Sequence, residues 1–208
     1  MMYTKKDIEQ LDRISRLKII NAVTGIKPAN LIGSINSDGL SNLAIFSSVV
    51  HLGSNPALLG FISRPQTPEV GHTLRNIKEN GSYTINHIHP NFVKKAHYTS
   101  AKFSAEESEF ELCGLTQEYQ KDILAPFVKQ STFKMGMQFV ETLDIKHNGT
   151  VMVIGEIQKL IIDNSAMVDD DIDLQASNSV GISGLNSYYE LKKIAQFPYA
   201  RIEELPEF

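Results

Sequence analysis

The stretch NLIGSINSDGLSNLAIFSSVVHLGSNPALLGFIS, residues 30–63, carries the reading of the fold. Residues 30–36 and 40–51 flank Ser37-Asp38-Gly39. There Asp tolerates a tight turn and Gly takes positive φ without a Cβ clash, so the two runs can pair as a hairpin. Residues 57–63 form a compact apolar run, long enough for a buried strand and too short for a helix, bounded by Asn55-Pro56 and Arg64-Pro65. The same grammar returns downstream. Residues 82–88 alternate Tyr83, Ile85 and His87 against Thr84, Asn86 and Ile88. Residues 138–146 and 150–162 flank Asn148-Gly149, the strongest short-range hairpin signal in the chain.

Helices fit between these strands. One short helix spans His72 to Gly81, with Leu74 and Ile77 three apart and Gly81 as its stop. Residues 91–101 read as helical, and Ser104-Ala105-Glu106-Glu107 has capping-box spacing for a further turn. The N-terminus reads as a short polar helical extension to about residue 17, followed by a β-rich run over 17–24 that stops at Gly25 and Pro28. Strands joined by short turns, with helices inserted rather than regularly alternating, predict a mainly β, antiparallel barrel instead of a doubly wound sheet. The chain reads as a single domain over residues 1–208.

Composition narrows the function. The 20 basic and 24 acidic residues leave a net charge of −4, which offers no field for a nucleic-acid backbone, although a local Arg and Lys cluster can hold one phosphate. Cys113 is the single cysteine, so no intrachain disulfide forms. Residues 1–18 are studded with charge and lack an apolar signal core, and no apolar run approaches a membrane span, so a cytoplasmic protein is expected.

The Walker loop, the G-x-G-x-x-G turn and the G-x-S-x-G elbow are missing, which sets aside triphosphatases, Rossmann dehydrogenases and α/β-hydrolases. Gly181-Ile182-Ser183-Gly184 matches none of them and reads as loop geometry. His87, His89 and His97 have H-x-H-x7-H spacing, but no thiolate or acidic ligand is tied to them by a motif, so they read as structural and no metal is expected. The run at 169–173 lacks the glycine and distal glutamate of a calcium loop and reads as a solvated acidic loop.

The polar strand Ser41-Asn42-Leu43-Ala44-Ile45-Phe46-Ser47-Ser48 is the informative constellation. Burying so many hydroxyls and an Asn unpaired costs about 1–3 kcal/mol each, so the strand invites a polar ligand. Its groups suit the hydrogen-bonding edge of a flavin, with Phe46 or Leu43 packing on the apolar part. About 20 residues on, Arg64, Thr67, His72 and Thr73 gather where a helix opens. Unpaired N–H groups, a positive dipole end and an arginine fork there make a phosphate cradle that needs no glycine-rich loop.

These residues, with Ser54-Asn55-Pro56, His72-Thr73-Leu74-Arg75-Asn76-Ile77, Tyr83-Thr84-Ile85-Asn86, Gly155-Glu156 and Gly184-Leu185-Asn186-Ser187-Tyr188-Tyr189, resemble the flavin reductase-like branch of the FMN-binding split barrels. The likeness runs from about Lys18 to Arg201 and rests on the order and spacing of the motifs. It implies a six-stranded antiparallel split barrel with Greek-key connections, a homodimer, and FMN near the dimer interface. By position it implies Asn42, Ala44, Ser47 and Ser48 on the isoalloxazine and ribityl chain, Arg64, Thr67 and Thr73 on the phosphate, and Tyr188 as a pocket wall.

The departures are specific. Ile45 stands where many relatives have Pro, Ala57 follows Pro56 in place of a second proline, and His72 stands where Asp precedes the Thr. Asn148-Gly149-Thr150 replaces a G-D-H turn whose His is associated with the reduced nicotinamide. The expected activity is FMN-dependent oxidoreduction, drawing on NADH or NADPH and passing electrons to flavin, a protein or a small acceptor. The alternative is a flavoredoxin-like carrier without nicotinamide turnover. The cofactor does the hard chemistry in either case, so a nucleophile or base dyad is not required and catalytic residues stay unassigned.

Overall fold

The computed structural model describes residues 1–65, 67 and 71–207. The chain opens with two helices. α1 (Lys5–Gln10) begins at a capping box in which Thr4 and Asp7 satisfy each other's backbone, and α2 (Arg13–Ala22) begins at Asp12. Asp12 Oδ1 accepts from Ile14 N at 2.9 Å and Ser15 N at 3.0 Å. That cap commits the chain to a helix before Leu17 is reached, and Leu17-Lys18-Ile19-Ile20 carries no period-2 alternation to compete with it. The expected β-run at 17–24 is therefore corrected to helix, and the helical extension continues to Ala22 rather than ending near residue 17.

The strands follow in chain order: β1 (Lys27–Pro28), β2 (Asn30–Ile35), β3 (Ser41–Phe46), β4 (Val50–Ser54) and β5 (Ala57–Ser63), then α3 (His72–Asn80) and β6 (Ser82–His87). After α4 (Val93–Tyr98) and α5 (Glu109–Leu112) come β7 (Gln117–Gln120), β8 (Ile123–Val128), β9 (Phe133–Ile145) and β10 (Thr150–Ile162). The C-terminal part holds β11 (Met167–Val168), β12 (Asp171–Ile172), β13 (Val180–Ser183) and β14 (Ser187–Glu190). The principal sheet has seven strands in the order β3-β2-β6-β9-β10-β5-β4, all pairs antiparallel. The count exceeds the six expected because the run at 40–51 breaks at Ser47-Ser48-Val49 into two strands.

That break also shapes the sheet. β3 and β4 are its two opposite edges, yet only three residues join them, a span of roughly 14 Å at full extension. The sheet must curl until its edges approach. Ser48 holds the approach, its Oγ accepting from Ile62 N at 3.0 Å and donating to Ile62 O at 3.3 Å. No ladder joins β3 to β4 among the described residues, so the curl stays open along most of that seam.

Strand alternation feeds two cores. Inside the curl, Ile32, Phe61, Tyr83, Ile85, Met135, Met137 and Val153 pack with Leu74 and Ile77 of α3, the pair whose spacing marked that helix. On the other face, Leu31, Leu43, Ile88, Phe92, Phe110, Val128 and Ile182 form the second core under α4, α5 and β13. Two loop expectations change. Ser104 N donates to Glu107 Oε2 at 2.8 Å as a capping box does, but the helix starts only at Glu109. Gly181 lies in β13, where its missing Cβ makes room for Ile26 of the entering chain.

Candidate functional site

Strand β3 presents one row of backbone groups outward because it is an edge. The first of these is covered. Glu109, 5 % exposed at the start of α5, accepts from Leu43 N at 2.8 Å, and Ser108 Oγ shares a hydrogen with Ser41 Oγ at 2.8 Å. Burial holds the Glu109 carboxyl above the usual carboxylate range, against the bond from Leu43. α5 therefore closes the edge at 41–43 and stops. Residues 44–49 are all half-buried, and an edge strand left uncovered is a place for another molecule to pair. Nothing in the sequence marked Glu109, since its role depends on a helix 66 residues away in the chain meeting an unpaired N–H.

One residue of each predicted cluster meets the other at β3. Asn42 Nδ2 donates to Thr73 Oγ1 at 3.0 Å, joining the strand to the first turn of α3. Asn76 Nδ2 donates to Ser34 Oγ at 3.2 Å, so a buried polar group fastens the helix to the sheet. At the other end of the segment, Ser48 grips Ile62, two residues before Arg64. The N-cap of α3 is Gly71 at φ +90°, a residue with no side chain to cap the first turn, and among the described residues no N-cap side chain competes for the leading N–H groups. Arg64 and Thr67 are exposed, while residues 66 and 68–70 between them and α3 lie outside the described residues.

Individual side chains divide by role. Leu43, expected to pack on a ring, is instead fully buried in the outer core and offers a ligand no side chain. Phe46 lies edge-on to Phe61 at 4.9 Å and packs against the inner core, and the Ser48 hydroxyl is spent on Ile62. Ala44 and Ser47 stay half-buried on the open part. Beside α3 an open cleft of about 250 Å³ is lined by Ser41, Asn42, His72, Arg75, Asn76 and Glu107 among others. Of the residues singled out on the polar strand and at the start of α3, Ser41, Asn42 and His72 border it whereas Ala44, Ser47, Ser48 and Thr73 do not, so the cleft adjoins the open edge rather than coinciding with it.

With this geometry, residues 26–174 match the family model described as flavin reductase like domain, well over half of the chain. The chain belongs to that family. A split-barrel protein of Shewanella frigidimarina NCIMB 400, assigned as a flavin reductase, is 47% identical with a TM-score of 0.92, over 96% of this chain and 100% of that one. Nitrilotriacetate monooxygenase component B from Bacillus cereus superposes with a TM-score of 0.83 at 19% identity, covering 95% of this chain and 98% of its own. Flavoredoxin of Desulfovibrio vulgaris (Miyazaki F) gives 0.72 at 23% identity, covering 85% and 92%. The last two speak for the fold alone.

Within this flavin reductase-like frame the three histidines separate. His89 spends both nitrogens on backbone, Nδ1 with Asn178 O at 3.0 Å and Nε2 with Thr132 N at 3.0 Å. His87 stacks on Phe133 at 3.9 Å and bonds Ser179 Oγ at 3.0 Å, and burial pulls its pKa down to about 4. His97 Nδ1 pairs with the Tyr188 hydroxyl at 3.0 Å. Tyr188 is half-buried and packs, like Ile45, on the outer core beneath the β3 edge, with its phenol pushed up to about 12 by burial. At the tip of β9 and β10, Asn148 Oδ1 accepts from both the N–H and the hydroxyl of Thr150, at 3.0 and 2.7 Å, closing the turn on itself.

Proposed function

We propose that this member of the family binds FMN along the open part of β3 and works as a redox flavoprotein. The observation that carries the reading is an edge strand closed by Glu109 at Leu43 and, among the described residues, open over 44–48, bonded at Asn42 to a helix whose N-cap is the side-chain-free Gly71. When bound, FMN would supply the ring that accepts and releases electrons. The backbone of 44–48 with Ser47 would meet its polar edge. Thr73 and the first-turn N–H groups, with Arg64 and Thr67 on the exposed side, would hold its phosphate. Tyr188 would stand at the rim, its hydroxyl kept neutral by burial and oriented by its bond with His97.

The enzymatic form of this reading is an NADH- or NADPH-dependent reductase passing electrons to flavin, a protein or a small acceptor. The carrier form, in which a partner delivers electrons, is favoured by Thr150, closed on Asn148, at the place where the resemblance puts the nicotinamide-associated His, although His147 stands exposed in the same turn. The same reading includes a homodimer in the cytoplasm, and among the described residues no helix is long and apolar enough to cross a membrane.

Absorption spectroscopy of gently purified protein tests the cofactor. Oxidised-flavin bands that weaken in Arg64→Ala support it, and a colourless protein that does not bind added FMN overturns it. Mixing the yellow protein with NADH or NADPH then separates the two forms. Bleaching supports the reductase, whereas inertness with retained reduction by dithionite supports the carrier.

A further inference from the structure

The C-terminal segment leaves the body with its apolar side chains uncovered. Ile194, Phe197, Tyr199, Ile202 and Leu205 are 93, 84, 87, 87 and 65 % exposed. Its root is pinned, since Lys193 N donates to Gln175 Oε1 at 2.9 Å and Lys193 Nζ lies 3.4 Å from Asp173. Beyond Gln196, no hydrogen bond or ion pair ties the segment to the body among the described residues. Its contacts are internal, such as Arg201 with Glu204 at 3.5 Å. Tails that simply dangle are poor in aromatic and branched apolar residues, whereas contiguous exposed apolar surface marks an interaction site.

Helix α2 is the counterpart. It buries no residue, and Ile14, Leu17 and Ile20 are 65, 40 and 44 % exposed. Three-residue spacing puts them within an arc of about 120° on one side. The charges of the two segments are complementary. α2 carries Arg13, Arg16 and Lys18 and no carboxylate, while residues 202–207 carry Glu203, Glu204 and Glu207 and no cation. Position matches as well. α2 runs into β1 and the segment leaves from β14, and these are the two outer strands of the sheet β1-β13-β14. Both uncovered elements thus flank one small sheet.

We propose that residues 194–207 are an exchange arm that lies across helix α2 of a second copy of this chain. A twofold axis beside the β1-β13-β14 sheet makes the contact reciprocal, so each copy gives one arm and receives one. Apolar side chains of the arm cover Ile14, Leu17 and Ile20 of the other copy, and its acidic end meets Arg13, Arg16 and Lys18. The inference rests on the homodimer of the proposed reading and names the segments that join the copies, but it does not rest on the cofactor, because it concerns association and not colour.

Charge reversal in the 208-residue chain tests it by sedimentation at low ionic strength. Glu203→Lys with Glu204→Lys in one variant, and Arg13→Glu with Arg16→Glu in another, each sets like charges against each other in a self-dimer and should weaken association about tenfold or more. Mixing the two variants restores opposite charges at both contacts and should recover wild-type association. An arm lying on its own α2 gives no such recovery. All substituted positions are exposed, and unchanged circular dichroism checks the fold. A wild-type chain that stays monomeric at micromolar concentration, variants that dimerise as tightly as wild type, or a mixture with no heterodimer would each overturn the proposal.

Discussion

At the scale of single residues, buried polar groups carry the most testable content. The Tyr83 hydroxyl is fully buried without a partner, and a buried unpaired hydroxyl costs free energy that folding must offset. Tyr83→Phe is expected to leave stability unchanged or raise it by about 1 kcal/mol in urea unfolding, a small gain for losing an oxygen. His87 gives a pH signature. Burial and the neighbouring His89 lower its pKa to about 4, below the ordinary value of 6.5, so the folded protein binds fewer protons than the unfolded chain between those limits. Stability from this group is full above pH 6.5 and falls as pH drops toward 4, by at most about 3 kcal/mol. Unfolding curves across that window should show the loss, and His87→Asn should flatten it.

At the scale of elements, close approaches decide which residues are allowed. β10 crosses the inner core at Gly155, where a Cβ would sit 2.2 Å from the Tyr83 hydroxyl and 2.9 Å from its ring. Gly155→Ala must displace a fully buried Tyr and is expected to cost about 1–3 kcal/mol, read as a lower urea midpoint with an unchanged slope. In the docking of α5 on β3, beside the Ser41–Ser108 bond and buried Phe110, Glu109 is the acceptor for the strand's backbone. Glu109→Ala leaves the Leu43 N–H without its partner, at a cost of about 1–3 kcal/mol. It also uncovers more of the strand edge, so amide exchange at Leu43 should accelerate while exchange on the paired β2 side stays slow.

At the scale of the whole molecule, the proposed cofactor and the fold are coupled by mass action. A ligand that bridges β3, α3 and the end of β5 binds only the folded chain, so FMN at about 100 times its dissociation constant adds about 2.7 kcal/mol to unfolding. Thermal melts with and without FMN should differ accordingly, and riboflavin, which lacks the phosphate, should shift the melt less. An equal shift with riboflavin would remove the phosphate cradle from the account while leaving the ring site standing.

Local chemistry was enough to place most elements. The hairpin at Asp38-Gly39, the strand at Ala57–Ser63, the helix ending at Gly81 and the long hairpin at Asn148-Gly149 all follow from turn residues and hydrophobic period, which act within a few residues. The misread segment at 17–24 shows the limit, because β-rich composition lost to a helix cap set at Asp12. The polar strand and the segment that opens α3 were legible as two separate oddities of composition. Their meeting through Asn42 and Thr73, the burial of Leu43, and the closure of half the edge by Glu109 belong to the tertiary structure. Each depends on how a curled sheet brings distant segments together, and sequence spacing along one chain does not encode that distance.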